Sequence, residues 1–238
     1  MGAKCYYGRG ISFSTNLFGI YAYYNIMKKQ NEKWTLKALL CEHGLPWRYI
    51  QKLTLSKERF SRFFNNINTK EYWNKRFGRK TEWRTKPYEQ IIKFLPKNKN
   101  FSLLDIGCAL GDGCMRLNQK FPEAKIEGCD FSKVAIRKAK NKHKKINFFV
   151  LNILKDKIPK KYDCILLVSI LEHMRMPKKI IRKCLRYADT VIINCPYGKD
   201  NFLNEKEHLF ACDEDTFCKF NPRVNIKDGR ISYIIRNQ

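Results

Sequence analysis

The sequence predicts an α/β fold: a doubly wound, mostly parallel sheet that ends in an antiparallel strand pair. Three observations predict it. Short apolar runs of strand length alternate with helix-like segments between residues 101 and 194, the pattern of parallel strands joined by crossover helices. The run Phe101-Ser-Leu-Leu-Asp-Ile106 carries no charge before Asp105 and passes straight into a glycine-rich turn and a helix. Near the end, Asp228-Gly229 separates two short β-type runs, a hairpin signal.

The elements follow in order. Thr69 is placed to cap a helix carrying Tyr72, Trp73 and Phe77 on one side. A second helix is expected from Trp83 to Phe94, closed by Pro96. The first strand covers 101–106, and the glycines Gly107, Gly111 and Gly113 precede a helix from Cys114. Lys125 to Asp130 is the second strand, Ser132 caps a helix from Lys133 to about Lys142, and Ile146 to Leu151 is the third strand. Tyr162 to Ser169 is the fourth strand, Pro177 to Tyr187 a basic helix, and Thr190 to Asn194 the fifth strand. Arg223 to Ile226 and Ile231 to Ile235 form the terminal pair. Residues 66–238 therefore read as one domain, and 1–65 as an extension, largely helical over 37–55 and 57–64.

Strand, glycine-rich turn, helix and second strand are the context that a nucleotide-binding turn requires. Asp130 closes the second strand, where an acid holds a ribose hydroxyl pair. The turn reads Asp105-x-Gly107-x-Ala109-x-Gly111-x-Gly113. It resembles motif I of the class I S-adenosylmethionine (SAM) dependent methyltransferases, with Ala109 where the family's second glycine sits. An ordinary glycine-rich turn of another doubly wound protein is the competing reading. The resemblance extends over 68–238. The segment Ser169-Ile-Leu-Glu-His173 is similar to the S-x-x-E-H stretch after strand four of many small-molecule methyltransferases. Glu205-Lys-Glu-His-Leu-Phe210 is similar to their loop before the last helix, and the Glu71-Tyr-Trp segment looks like their cofactor-lid helix. The resemblance implies a Rossmann-like methyltransferase fold with SAM as cofactor. It implies that Asp105, Gly107, Gly111, Asp130, Phe131, Asn152 and Ser169 line the cofactor site, with Asn152 against adenine. Asn194-Cys-Pro-Tyr197 resembles the N-P-P-Y motif of amino-methylating enzymes, but it follows strand five rather than strand four.

Methyl transfer to a hydroxyl requires alignment and a proton acceptor. The chain has four histidines. His173 and His208 fall on loops at the carboxyl ends of strands, where doubly wound sheets build sites. They are the candidate bases, with loop ordering as the alternative for each, and Glu172 and Glu207 are placed to orient them. His43 and His143 are expected at the surface.

Charge and cysteines bound the remaining possibilities. Lys and Arg number 48 against 22 Asp and Glu, a net charge of +26. That is the footprint of a nucleic-acid or anionic-membrane partner, or a biased composition on solvated faces. Lys133 to Lys145 is the densest cluster. A small-molecule acceptor is the expectation, with RNA methylation or a SAM-binding scaffold without catalysis as alternatives. The ten cysteines include no C-x-x-C pair, and several fall in apolar strands, which suits reduced thiols in a cytoplasmic protein. Cys212 and Cys218 lie near His208 with spacing poor for zinc, so no metal is expected. The uncharged run Ile11 to Met27 is too short and polar to span a bilayer. It suits packing against the protein or lying on a membrane surface.

Overall fold

The computed structural model describes residues 61–62, 65–98, 100–198 and 205–237. The run Ile11 to Met27, His43 and the extension's expected helices lie outside the described residues, apart from 61–62. Contacts divide the chain after Ser61, and the fold below belongs to the unit Arg62–Gln238. No helix among the described residues is long and apolar enough to cross a membrane.

Seven strands form one sheet in the order β3-β2-β1-β4-β5-β7-β6. They are β1 (Ser102–Ile106), β2 (Lys125–Asp130), β3 (Asn147–Val150), β4 (Tyr162–Val168), β5 (Ala188–Pro196), β6 (Arg223–Lys227) and β7 (Arg230–Arg236). β1 to β5 run parallel, and β7 inserts antiparallel between β5 and β6. The chain leaves β1 toward β2 on one side and returns to β4 on the other. This switch point opens a crevice at the carboxyl ends of the strands.

Alternation along the central strands supplies a core on each face. Leu104, Ile165 and Ile193 join one buried cluster, with Ile180, Ile181 and Cys184 of helix α5 (Pro177–Leu185). Their neighbours Leu103, Leu166 and Ile192 join the other, with Leu117 of α3 (Asp112–Lys120) and Ile136 of α4 (Lys133–Lys142). Successive side chains point to opposite faces, so uninterrupted apolar runs serve a sheet covered on both sides.

Local signals act where expected. The Ser132 hydroxyl accepts from Ala135 N at 3.1 Å and starts α4. The Thr69 hydroxyl accepts from Tyr72 N at 3.2 Å and starts α1 (Lys70–Gly78). Asp228 and Gly229 both take positive φ, +49° and +69°, the geometry of a tight hairpin turn. The helix expected from Trp83 begins later, as α2 (Lys86–Ile91). Pro87 sets its first turn, and Trp83 N is held outside by Asp112 Oδ2 at 2.8 Å.

Two surface expectations are corrected. His143 has a side chain only 8% exposed, with Nε2 3.2 Å from Asp112 Oδ1. Lys138, within the basic cluster, donates to the carbonyls of Phe77, Gly78 and Lys80 at 2.7–2.9 Å. Its ammonium thus caps the carboxyl end of α1, where free carbonyls and the helix dipole favour a cation.

Candidate functional site

A cavity of about 730 Å³ opens at the strand ends, between α1 and the segments after β1, β2, β3, β4 and β5. Seven of the nine residues expected at the site line it: Gly107, Asp130, Phe131, Asn152, Ser169, His173 and His208. Asp105 and Gly111 do not. The Asp105 side chain turns into the core, where Oδ2 accepts from Tyr88 Oη at 2.7 Å and from Cys114 Sγ at 3.3 Å. Gly111 faces Phe148. It takes φ +79°, and a methyl there would lie 2.6 Å from the ring, so its role is the packing of α3 onto the sheet.

The turn after β1 is bound to the end of β2. Ala109 N donates to Asp130 Oδ2 at 3.1 Å, and Ser132 N to Oδ1 at 2.8 Å. Burial pushes the Asp130 carboxyl up to about 6, against these two N–H groups. Ala109 takes φ +51° and Ser169 φ +53°. Both line the cavity, and left-handed backbone at non-glycine residues gathers where a ligand cradle dictates the path. Gly107 has φ +79°, and a methyl there would sit 2.7 Å from Ile170 Cδ1.

These features fit a nucleoside-bearing cofactor such as SAM. Asp130 borders the cavity and keeps lone pairs beyond its two N–H bonds, as a ribose diol requires. Behind the turn, Asp105 Oδ1 is buried without a hydrogen-bond partner among the described residues. Phe131 lines the wall beside Asp130. Asn152 also lines it, but its Oδ1 accepts from Leu154 N at 3.0 Å. Its side chain thus shapes the turn after β3 as well as facing the cavity.

The same cavity is lined by Glu172, His173 and His208. Glu172 and His173 belong to a 3-10 turn, Leu171–His173, directly after β4. Leu209 N donates to the Glu172 carbonyl at 2.7 Å, which fastens the loop after β5 to this turn. The two imidazole centroids lie 5.1 Å apart, and Trp73 of α1 stands edge-on to His173 at 5.2 Å. His173 Nδ1 lies 3.1 Å from the Glu207 carbonyl oxygen. A carbonyl only accepts, so Nδ1 carries the hydrogen and Nε2 keeps its lone pair. Burial, then neighbouring His208, pushes the His173 imidazolium down to about 3, so the ring is neutral.

Glu207 does not orient a histidine with its carboxylate. Its Oε1 accepts from Tyr72 Oη and Arg76 Nη1, which ties α1 to the loop after β5. Burial alone would raise its pKa, but Tyr72 and Arg76 outweigh that and leave it lowered. Glu172 differs. It is 1% exposed, and neither carboxylate oxygen has a hydrogen-bond partner among the described residues. Burial pushes it up to about 7, against the charge of Arg230. Arg230 itself is engaged elsewhere, with Nε on Asn194 Oδ1 and Nη2 on Ser169 Oγ, each at 2.5 Å. Arg230 carries no local sequence signal for this role, because its partners Asn194 and Ser169 lie on β5 and just after β4, while it belongs to β7.

Residues 104–189 match the family model described as a methyltransferase domain. Among curated relatives, the chain is 28% identical over 120 residues to a malonyl-[acyl-carrier protein] O-methyltransferase of Ilyobacter polytropus, covering 48% of this chain and 46% of the relative. It is 29% identical over 133 residues to a phosphoethanolamine N-methyltransferase of Plasmodium falciparum, covering 51% and 50%. The chain thus spans about half the length of the curated relatives it matches. Among solved structures, the plantazolicin methyltransferase BpumL bound to S-adenosylhomocysteine (SAH) superposes with a TM-score of 0.52 at 17% identity, covering 78% of this chain and 98% of that one. The chain thus shares the fold of that methyltransferase, and its residues 104–189 match a methyltransferase domain.

Proposed function

We propose that the chain transfers the methyl group of SAM to a small-molecule acceptor, at a hydroxyl of a saccharide, lipid headgroup or phenol. One observation carries this reading. A single cavity joins a cradle suited to a nucleoside, built by Gly107, Ala109 and Asp130, to a buried corner of Glu172, His173 and His208. The cradle holds the donor, and the corner meets the acceptor's reacting atom.

The cofactor supplies an already activated methyl. The chain's own residues supply position and charge. Asp130 holds the ribose and so fixes the donor along the crevice. Trp73 and Phe77 of α1 cover the cavity and exclude water from the path of transfer. His173 and His208 act on the acceptor's hydroxyl from the loops after β4 and β5. The curated relatives are named for O-methylation of malonyl-[acyl-carrier protein] and for N-methylation of phosphoethanolamine, neither of them a nucleic acid.

The test is transfer of labelled methyl from SAM into a panel of phenols, malonyl thioesters, phosphoethanolamine and total RNA. Label in a low-mass acceptor supports the reading. Label confined to RNA would move the acceptor to nucleic acid, in keeping with the +26 charge.

A further inference from the structure

We propose that Glu172, His173 and His208 form a binding site for one divalent first-row transition-metal ion in the cavity. One ligand atom from each residue lies within 4.8 Å of the other two, so modest side-chain rotations bring all three onto one ion. Glu172 is 1% exposed, lines the cavity and leaves both carboxylate oxygens without a hydrogen-bond partner among the described residues. Burying such a group unpaired is costly, and a cation relieves the cost.

The His173 imidazole is prepared in the manner of a metal ligand. His173 donates Nδ1–H to the Glu207 carbonyl at 3.1 Å, which fixes the ring and frees Nε2; a backbone carbonyl on the far nitrogen is the usual support of a ligating histidine. His208 is held beside it by the link from Leu209 N to the Glu172 carbonyl, 2.7 Å. The neighbouring positive charges are Arg62, Arg76, Arg84 and Arg230; Arg62 bonds the Glu205 and His208 carbonyls, and Arg84 lies 4.0 Å from the Glu205 carboxylate. Arg76 is matched by Glu207. Arg230 bonds Asn194 and Ser169, and no salt bridge joins it to Glu172 among the described residues.

Two nitrogens and one carboxylate select zinc, cobalt or iron(II) over magnesium or calcium, which prefer all-oxygen sets. Three protein ligands leave at least one position open toward the cavity. The site stands on geometry alone, whereas its role rests on the methyl-transfer reading. There an ion would supply Lewis-acid charge beside the acceptor's oxygen, and the two histidines would act on the hydroxyl by holding it.

The test uses the purified full chain stripped with chelator, titrated with Co²⁺ and, separately, with Zn²⁺ and Mg²⁺. The expected result is one Co²⁺ per chain with visible d–d bands, displaced by Zn²⁺ and untouched by Mg²⁺. Glu172→Gln, isosteric and uncharged, and His208→Ala should each weaken binding by at least about 100-fold. His143→Ala, outside the cavity, should leave it unchanged. Absence of cobalt bands in the wild type, or bands that persist in Glu172→Gln and His208→Ala, would overturn the site. SAH titrated into the same samples separates the two readings. SAH binding without metal binding removes only the site, and metal binding without SAH binding removes only the methyl-transfer role.

Discussion

The main-chain N–H of Ala109 donates to the Asp130 carboxylate at 3.1 Å. The glycine-rich turn after β1 is therefore shaped by the acid at the end of β2, and one side chain serves both the fold of the cradle and the ligand it faces. Asp130→Ala should weaken SAH binding by the loss of charged hydrogen bonds, about 1.5–3 kcal/mol. Calorimetry on wild type and variant checks this. Equal affinities would remove Asp130 from the cofactor site.

Ala109 itself carries strain. An alanine at φ +51° costs about 1–2 kcal/mol relative to right-handed backbone, against about 0.8 kcal/mol for burying its methyl. Ala109→Gly should raise stability by about 0.5 kcal/mol in urea denaturation. A loss above about 1 kcal/mol would mean that the methyl's contacts with Phe77, Leu110 and Ala135 outweigh the strain.

Asp105 makes stability depend on pH. Burial pushes its folded-state pKa up to about 6, against bonds from Tyr88 and Cys114. An acid whose pKa is raised by folding binds its proton more tightly in the native state, so stability falls as pH rises from about 4 to about 6. Asp105→Asn should be more stable than wild type at pH 8 by about 1–3 kcal/mol and near equal below pH 4. Ligand-free thermal melts across that range decide it. A variant no more stable at pH 8 than at pH 4, relative to wild type, would contradict the burial argument.

Lys138 tests which part of the basic cluster is structural. Its three carbonyl bonds cap α1, and the site is partly exposed, so Lys138→Ala should cost only about 1 kcal/mol. Lys140, exposed on the same helix, should change stability by less than about 0.5 kcal/mol when replaced by Ala. Equal effects in denaturant would show that the cap contributes nothing specific.

These outcomes divide along what a sequence can carry. β2, α4 and its Ser132 cap, and the terminal hairpin were legible because period, cap and turn chemistry are local. Asp130 was legible because its place at a strand end follows from the unit's order. The inward turn of Asp105 was not, since it depends on Tyr88, which approaches from α2. Lys138 looked like surface charge because its acceptors are carbonyls on another helix. Glu172, His173 and His208 show no recognisable metal spacing, since the fold alone brings position 208 beside the pair at 172–173. His173 looked like a free base, yet its neutral ring and its bond to the Glu207 carbonyl follow from burial that no local pattern reveals.

The most direct test of the central claim is turnover of methyl-labelled SAM by the purified chain, with products separated by mass. The account predicts label in a low-mass acceptor at a rate that falls sharply in Asp130→Ala and in His208→Ala. Label found only in RNA, or turnover unaffected by both substitutions, would contradict it.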